Sequence, residues 1–317
     1  MAVTLAQAKE LSQDKLTQQI IDDFRLSPVL RTLPFDNTIK PNGVSLAYAY
    51  NRITTQAQAH TRALNSEYTP QETATTQEVT NLKVLGGSFQ IDRVIARDEV
   101  QVINEIELQT REKVKATRAL FNDLFINGDS ATDPDQFDGI KKFAKDTNVH
   151  VFDAEGLDVS TMTAINANAN ELIYAMRKVY KNTEGFTHVG VNADLFAAFQ
   201  QAVDVVPSVT QTKDEIGNDV IYFGNTEIVG MGQKPGTFDE VIPTRADGTT
   251  DMYFWREGMD GVHGVSPQGT DLVEIHYPDF SVAKAVHTGD VELVGGIVCK
   301  KYNSVGILEN VKVLPGE

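Results

Sequence analysis

Residues 98–143 read DEVQVINEIELQTREKVKATRALFNDLFINGDSATDPDQFDGIKKF. Val100, Ile103, Ile106, Val114, Phe121, Leu124 and Phe125 recur by steps of three, four or seven, so they share one face of a helix. Thr110 and Thr117 interrupt that stripe, and Glu105, Glu107, Arg111, Glu112, Lys113, Lys115 and Arg118 dominate elsewhere. Asp98 and Glu99 suit the positive end of the helix dipole. Asn127-Gly128 reads as the stop, with Gly128 as the C-terminal cap. A helix of about thirty residues spans roughly 45 Å, well beyond the usual length of about 8–20 residues. Without heptads, a rod that long points to architecture before chemistry.

Upstream of the rod the period changes. Val44, Leu46, Tyr48 and Tyr50 alternate with Ser45, Ala47, Ala49 and Asn51, the period of a half-buried strand. A second strand-like region covers Val79 to Val94, where Gly86-Gly87 would allow a bend or bulge. Gln56 to Gln77, between them, is nearly empty of large apolar residues. Two strands with a polar middle predict a long projecting antiparallel hairpin, which needs a neighbour to lie on. Residues 3–26 carry a moderate helical spacing, ended by Ser27-Pro28. Pro34 and Pro41 then punctuate an extended segment, an arm rather than a compact core.

Downstream, residues 150–278 read as a mixed α/β region. The spacing predicts helices over Thr161–Tyr180 and Ala193–Val203, a short strand at His188–Val191, and strands within Gly217–Gly232 and Asp251–Gly264. From Phe280 to Val313 apolar strands follow, predicted to return to the region of the long helix. The fold class is α+β.

Composition narrows the function classes. The 317 residues are 41% hydrophobic and 8% aromatic, ordinary for a folded chain and too apolar for a disordered one. No run approaches the roughly 18 apolar residues of a membrane helix, and the N-terminus lacks the pattern of a secretory signal. Cys299 is the single cysteine, so an intrachain disulfide and a thiolate metal cluster are excluded; production in a reducing cytoplasm is expected. Lysine and arginine number 28 against 44 aspartates and glutamates, a formal charge of −16 that argues against nucleic-acid binding through the chain as a whole.

No catalytic constellation stands out. Gly230–Gly236, GMGQKPG, lacks the glycine spacing of a nucleotide loop and opens no helix. Gly264–Gly269 is one residue too long for a nucleophile elbow. Asp129, Asp133, Asp135 and Asp138 form the densest carboxylate cluster, but Asp138 stands where an EF-hand loop begun at Asp133 needs glycine, so the loop is read as turn-forming and solvated. The six histidines are scattered, and Cys299 lies within an apolar strand, which favours a buried structural thiol. No enzyme, cofactor or metal site is expected.

Taken in order, these pieces resemble the major capsid proteins of tailed bacteriophages, with their HK97-like fold. The strongest local match is ATRALFNDLFINGDSATDPDQFDGIKKF, where Asn127, Gly128, Gly139 and Ile140 match the family passage that ends its spine helix; IIDDFRLSPVLRTL is similar to the pattern ahead of its extended loop. The order of arm, hairpin, helix, mixed domain and terminal strands covers nearly the whole chain. The resemblance implies an N-terminal arm at 1–42, an extended loop at 43–96 lying over an adjacent subunit, a peripheral domain at 97–150 and 279–317, and an axial domain at 151–278. It implies a structural subunit that self-assembles through pentamers and hexamers into an icosahedral head. That head is built in the host bacterial cytoplasm with a separate scaffolding protein and a portal, away from membranes, and encloses double-stranded DNA without sequence-specific binding. Tyr48, Tyr50, Lys83, Glu105, Arg111 and Arg118 are candidate intersubunit contacts, although a solvated helix face explains the charged helix residues equally well. Lys83, the single lysine between residues 43 and 95, lies in an arm of the hairpin rather than at its tip, so the covalent crosslinking of some relatives is not expected. An encapsulin-like compartment shell and a soluble α+β enzyme or binding protein are the alternatives.

Overall fold

The computed structural model describes residues 27–40, 43–53, 59–68, 70, 75–94, 99–148, 150–181, 183–213, 219–267 and 273–314. The helical spacing over 3–26, Asp98, the far end of the Gly264–Gly269 turn and part of the hairpin's polar middle lie outside the described residues.

Two sheets carry the chain. A five-stranded sheet holds β1 (Phe35–Asn37), β13 (Val262–Ser266), β15 (Val286–Cys299) and β14 (Val273–His276) in that order, with β6 (Lys83–Asp92) also paired to β15. A seven-stranded sheet has the order β7 (Val151–Asp153), β16 (Val305–Lys312), β12 (Thr249–Trp255), β8 (His188–Val191), β11 (Thr226–Gly230), β10 (Asp219–Phe223) and β9 (Val209–Lys213). The tail therefore divides. β15 returns to the long helix as expected, whereas β16 enters the other sheet between β7 and β12. Apolar composition marked both strands as buried without saying where.

The rod is α2 (Glu99–Asn127), 29 residues long. It packs on β6 and β15, and Val114, Phe121, Leu124, Phe125 and Ile126 enter the main core with Leu85, Val291, Leu293, Ile297 and Trp255. Thr110 and Thr117 do not interrupt the stripe; both are buried in it. Their small side chains suit a face pressed close to a sheet, and the Thr117 hydroxyl donates to the Lys113 carbonyl at 2.9 Å. Gly86-Gly87 makes no bulge, since β6 pairs with β15 without a register break from Lys83 to Asp92. The two glycines instead admit close neighbours: a Cβ on Gly86 would stand 2.2 Å from the Val291 carbonyl oxygen, and one on Gly87 3.2 Å from the Lys113 side chain of the helix.

The seven-stranded sheet is covered by α4 (Met162–Val179) and α5 (Ala193–Ala202). Thr161 caps the first by accepting from the Ala164 amide at 3.2 Å, and Asn192 caps the second by accepting from Leu195 at 2.9 Å. Ile165, Ala169, Leu172, Ile173, Met176 and Val179 form the buried side of α4, the face predicted from their spacing. They meet Leu195, Phe199, Ile221 and Phe254 in a second core.

Ser27-Pro28 starts a helix of its own, while the helix over 3–26 that it is expected to end lies outside the described residues. Ser27 caps α1 (Pro28–Thr32), and proline at the first helical position loses no hydrogen bond. Val29 and Leu33 from this segment are buried in the main core. Residues 27–33 are thus core as well as arm.

The predicted hairpin pairing is present: β4 (Ala47–Ile53) runs antiparallel to β5 (Thr75–Asn81), from Ala47 opposite Asn81 to Ile53 opposite Thr75. The second arm then splits at Leu82, because Lys83–Asp92 belongs to the five-stranded sheet. Nor is the hairpin without a core at its base: Tyr50 and Leu82 pack on Val265 and Val298.

Candidate functional site

The base of the hairpin is its most elaborately held part. Strand period two places Tyr48, Tyr50 and Arg52 on one face, toward β13 and β15. The Tyr48 hydroxyl donates to Asp36 Oδ2 at 2.7 Å, and its ring lies 6.3 Å from Tyr50, stacked, and 6.0 Å from His263, edge to face. Arg52 reaches furthest in. Its Nε and Nη2 donate to the Cys299 carbonyl at 3.2 and 3.0 Å, Nη1 to the Tyr302 hydroxyl at 2.7 Å, and Nη2 to the Tyr50 hydroxyl at 2.9 Å. The guanidinium carbon lies 4.4 Å from the centre of the Tyr302 ring, a cation–π contact that a lysine would not reproduce with the same fork of donors.

Burial and the Asp36 carboxylate push the Tyr48 hydroxyl up to about 12, while the Tyr48 hydrogen bond holds Asp36 below the ordinary carboxylate range. Burial pushes the Cys299 thiol up to about 12, so it is no nucleophile at neutral pH.

A second cluster fixes α1 to the seven-stranded sheet. Arg31 Nη2 donates to Glu227 Oε1 at 2.7 Å, and the Thr32 hydroxyl to Glu257 Oε1 at 3.1 Å. His188 lies between these carboxylates, 3.6 Å from Glu227 and 3.3 Å from Glu257, stacked 5.6 Å from the single tryptophan, Trp255. Burial raises Glu257; burial also opposes ionisation of Glu227, yet His188 and Arg31 hold that carboxyl below its usual range. Ser27 Oγ donates to Asn122 Oδ1 of α2 at 2.8 Å, and β1 runs parallel to β13. The segment from Ser27 to Asn37 thereby straps the long helix and both sheets together.

The loop after α2 is closed by two glycines. The Gly139 amide donates to the Gly128 carbonyl at 2.8 Å. A Cβ on Gly128 would stand 2.2 Å from the Phe137 carbonyl oxygen, and one on Gly139 2.7 Å from those of Leu124 and Ile126. Crowding, not a left-handed cap, requires glycine at 128. Between them, Lys142 Nζ donates to Asp129 at 2.6 Å and to Asp138 at 3.0 Å, occupying the centre where a cation would sit. Asp129 also accepts from the Ala131 amide and the Thr132 hydroxyl, and Asp133 from the Asp135 amide. The aspartates shape the turn. Among the described residues no group of three or more histidine, cysteine or acidic side chains is arranged to hold a metal, and no helix is long and apolar enough to cross a membrane.

The six contact candidates do not converge. Tyr48 and Tyr50 adjoin at the hairpin base; Lys83, at the start of β6, donates to the Pro134 carbonyl of the post-helix loop. Glu105 accepts from Gln109 at 2.8 Å, Arg111 pairs with Glu107 at 2.8 Å, and Arg118 is half-buried further along the same helix. Arg52 is the residue that composition alone passes over, although the alternation placing Tyr48 and Tyr50 inward places Arg52 there too. Among the described residues two apolar side chains are almost completely exposed: Leu64, 94% exposed in the hairpin's middle, and Phe238, 92% exposed in the loop after β11.

No protein-family model matches this sequence, and no curated protein does. Solved structures do. The capsid of a native GTA particle is similar at a TM-score of 0.56 and 10% identity, over 90% of each chain. The SrpI encapsulin of Synechococcus elongatus PCC 7942 is similar at 0.54 and 13% identity, over 90% of this chain and 87% of its own. A Mycobacterium phage Bobi structure gives 0.53 at 11% identity, over 89% and 90%. The shared architecture is the α+β HK97-like fold with its long helix.

Proposed function

We propose that this chain is a shell-forming subunit, a major capsid protein whose copies close into an icosahedral head. The observation carrying this reading is whole-chain likeness to shell proteins: about nine-tenths of this chain and of each neighbour superimpose, in a GTA capsid and a phage structure among others. In this reading α2 is the spine, the five-stranded sheet with α2 is the peripheral domain, and the seven-stranded sheet with α4 and α5 is the axial domain. Domain boundaries follow the sheets more closely than runs of sequence, because β13 and β16 each join the sheet outside their neighbourhood. The hairpin beyond Ile53 is the extended loop, lying over an adjacent subunit.

The surface supports intersubunit use. Leu64 and Phe238 are exposed almost completely, as suits side chains buried by other copies. Tyr48, Tyr50 and Lys83 then orient the loop from within their own subunit, while Glu105, Arg111 and Arg118 face neighbours along the spine. A formal charge of −16 keeps the wall from gripping packaged DNA. Scaffolding and portal proteins are the further partners of this reading, and the virion is its location.

The likeness to an encapsulin favours one second reading, a compartment shell with protein cargo. Genes for portal, terminase and tail beside this one favour the head; a peroxidase or ferritin-like cargo gene favours the compartment. Electron microscopy and light scattering of purified protein test shell formation itself. Pentamers, hexamers or closed shells are expected, and a compact monomer at every concentration, with and without scaffold, overturns the proposal.

A further inference from the structure

His263 lies in β13 directly beneath the hairpin. It is completely buried, and neither ring nitrogen makes a hydrogen bond of ordinary geometry. The Tyr48 ring closes over it edge-on at 6.0 Å, and Val265 and Val298 beside it seat Tyr50 and Leu82. The backbone of Gly261 is the one weak partner in reach, and an imidazole sealed this way is tolerable only while neutral.

We propose that His263 makes the seat of the hairpin acid-sensitive: protonating this ring is incompatible with Tyr48 closed over it, so mild acid lifts Ala47–Ile53 and Thr75–Asn81 from their own subunit. The charged and titratable groups facing the ring come from three other elements. Asp36 of β1 favours the imidazolium, Lys300 after β15 opposes it, and Tyr48 of β4 stays un-ionised. Asp36 offsets the loss of water only in part, because its carboxylate is already engaged by the Tyr48 hydroxyl at 2.7 Å.

Burial first, and Lys300 next, hold His263 down to about 4, against 6.5 for a free imidazole. A ring kept neutral in the seated state stabilises that state fully above pH 6.5. The contribution fades as pH falls through this window and is gone below about 4. At pH 5 the seating equilibrium weakens by up to about 30-fold. Asp36 is held below its ordinary range, so losing its bond to Tyr48 by protonation belongs to stronger acid.

Hydrogen exchange of the full chain, expressed as protection factors, separates these effects. Peptides over 47–53 and 75–81 are expected to lose protection about 30-fold between pH 7.5 and 5.0, while peptides of α4 keep theirs. His263→Phe is expected to hold the hairpin at both pH values, His263→Leu to do the same should phenylalanine overfill the site, and Asp36→Asn to retain the wild-type loss. Equal protection of wild type at both pH values, equal loss in the histidine variants, or simultaneous loss in α4 overturns the proposal. The consequence for a shell rests on the proposed function, but the seat lies within one chain. Light scattering that finds no assembly therefore defeats that reading and leaves the exchange result standing.

Discussion

Single positions carry more of this fold than their chemistry suggests. Arg52 makes four hydrogen bonds to three partners from inside the hairpin seat. Truncating it leaves the Cys299 carbonyl and the Tyr302 hydroxyl without their donor. Arg52→Ala is therefore expected to cost about 2–3 kcal/mol, read as a lower urea midpoint, with local loss of exchange protection in β4. Arg52→Lys restores only part of it, because one ammonium cannot span the same acceptors. Gly128 and Gly139 are as constrained: each faces carbonyl oxygens closer than any Cβ tolerates. Alanine at either is expected to lower stability by about 2 kcal/mol or more, measured by thermal unfolding, whereas alanine at Gly224, with open space around it but a positive φ of 61°, should cost only about 1 kcal/mol. Asp129 contrasts with all of these. Its hydrogen bond from Lys142 brings its carboxyl down to about 2, so its contribution is present above about pH 3.8 and is lost as pH falls toward 2. Lys142→Met is expected to lower the neutral-pH thermal midpoint slightly, since the pair is only partly buried and screened. Millimolar calcium should not raise that midpoint in wild type; a clear rise would restore the aspartates as metal ligands.

Elements differ in how plainly the sequence announces them. α2, α4 and α5 are legible because period and caps are local properties: Thr161 and Asn192 cap where the spacing begins, and the buried face of α4 is the one its residues spell out. Strand destinations are not local. Val84, Phe89 and Ile91 read as part of one arm of a hairpin, yet their ladder is with β15, two hundred residues away, because alternation names a face and not a partner. Thr110 and Thr117 look like interruptions on a hydropathy scale and are buried in the helix's inner face. Ser27-Pro28 suits either end of a helix, and what the spacing does not announce is the short helix that follows it, whose Val29 and Leu33 enter the main core. At the hairpin seat, alternation pointed to Tyr48 and Tyr50 and equally to Arg52, which charge disguised as a surface residue. His263 was one histidine among six, since nothing local records that a strand from elsewhere seals it.

For the whole molecule, net charge and shape set the expectations. Subunits of charge −16 repel one another at low ionic strength, and salt screens that repulsion over about 10 Å at 0.1 M. Raising salt from about 50 to 300 mM should therefore favour association, followed by light scattering; assemblies that dissolve on adding salt would show that attraction between charges holds them instead. No covalent ladder is expected on a denaturing gel, given that Lys83 is held at the Pro134 carbonyl. β15 has a further consequence. Its 14 residues pair along one stretch with β6, at ten successive positions, and with β13 near the end, and a turn at Tyr302–Ser304 leads directly into β16 of the other sheet. Tension between the two sheets thus runs along the strand axis, while its hydrogen bonds lie across it. Such a joint is loaded in shear, with every rung of the ladder bearing at once rather than opening singly from one end. Pulling the two sheets apart therefore means breaking many hydrogen bonds together, which makes this joint stiffer than its single-strand width suggests.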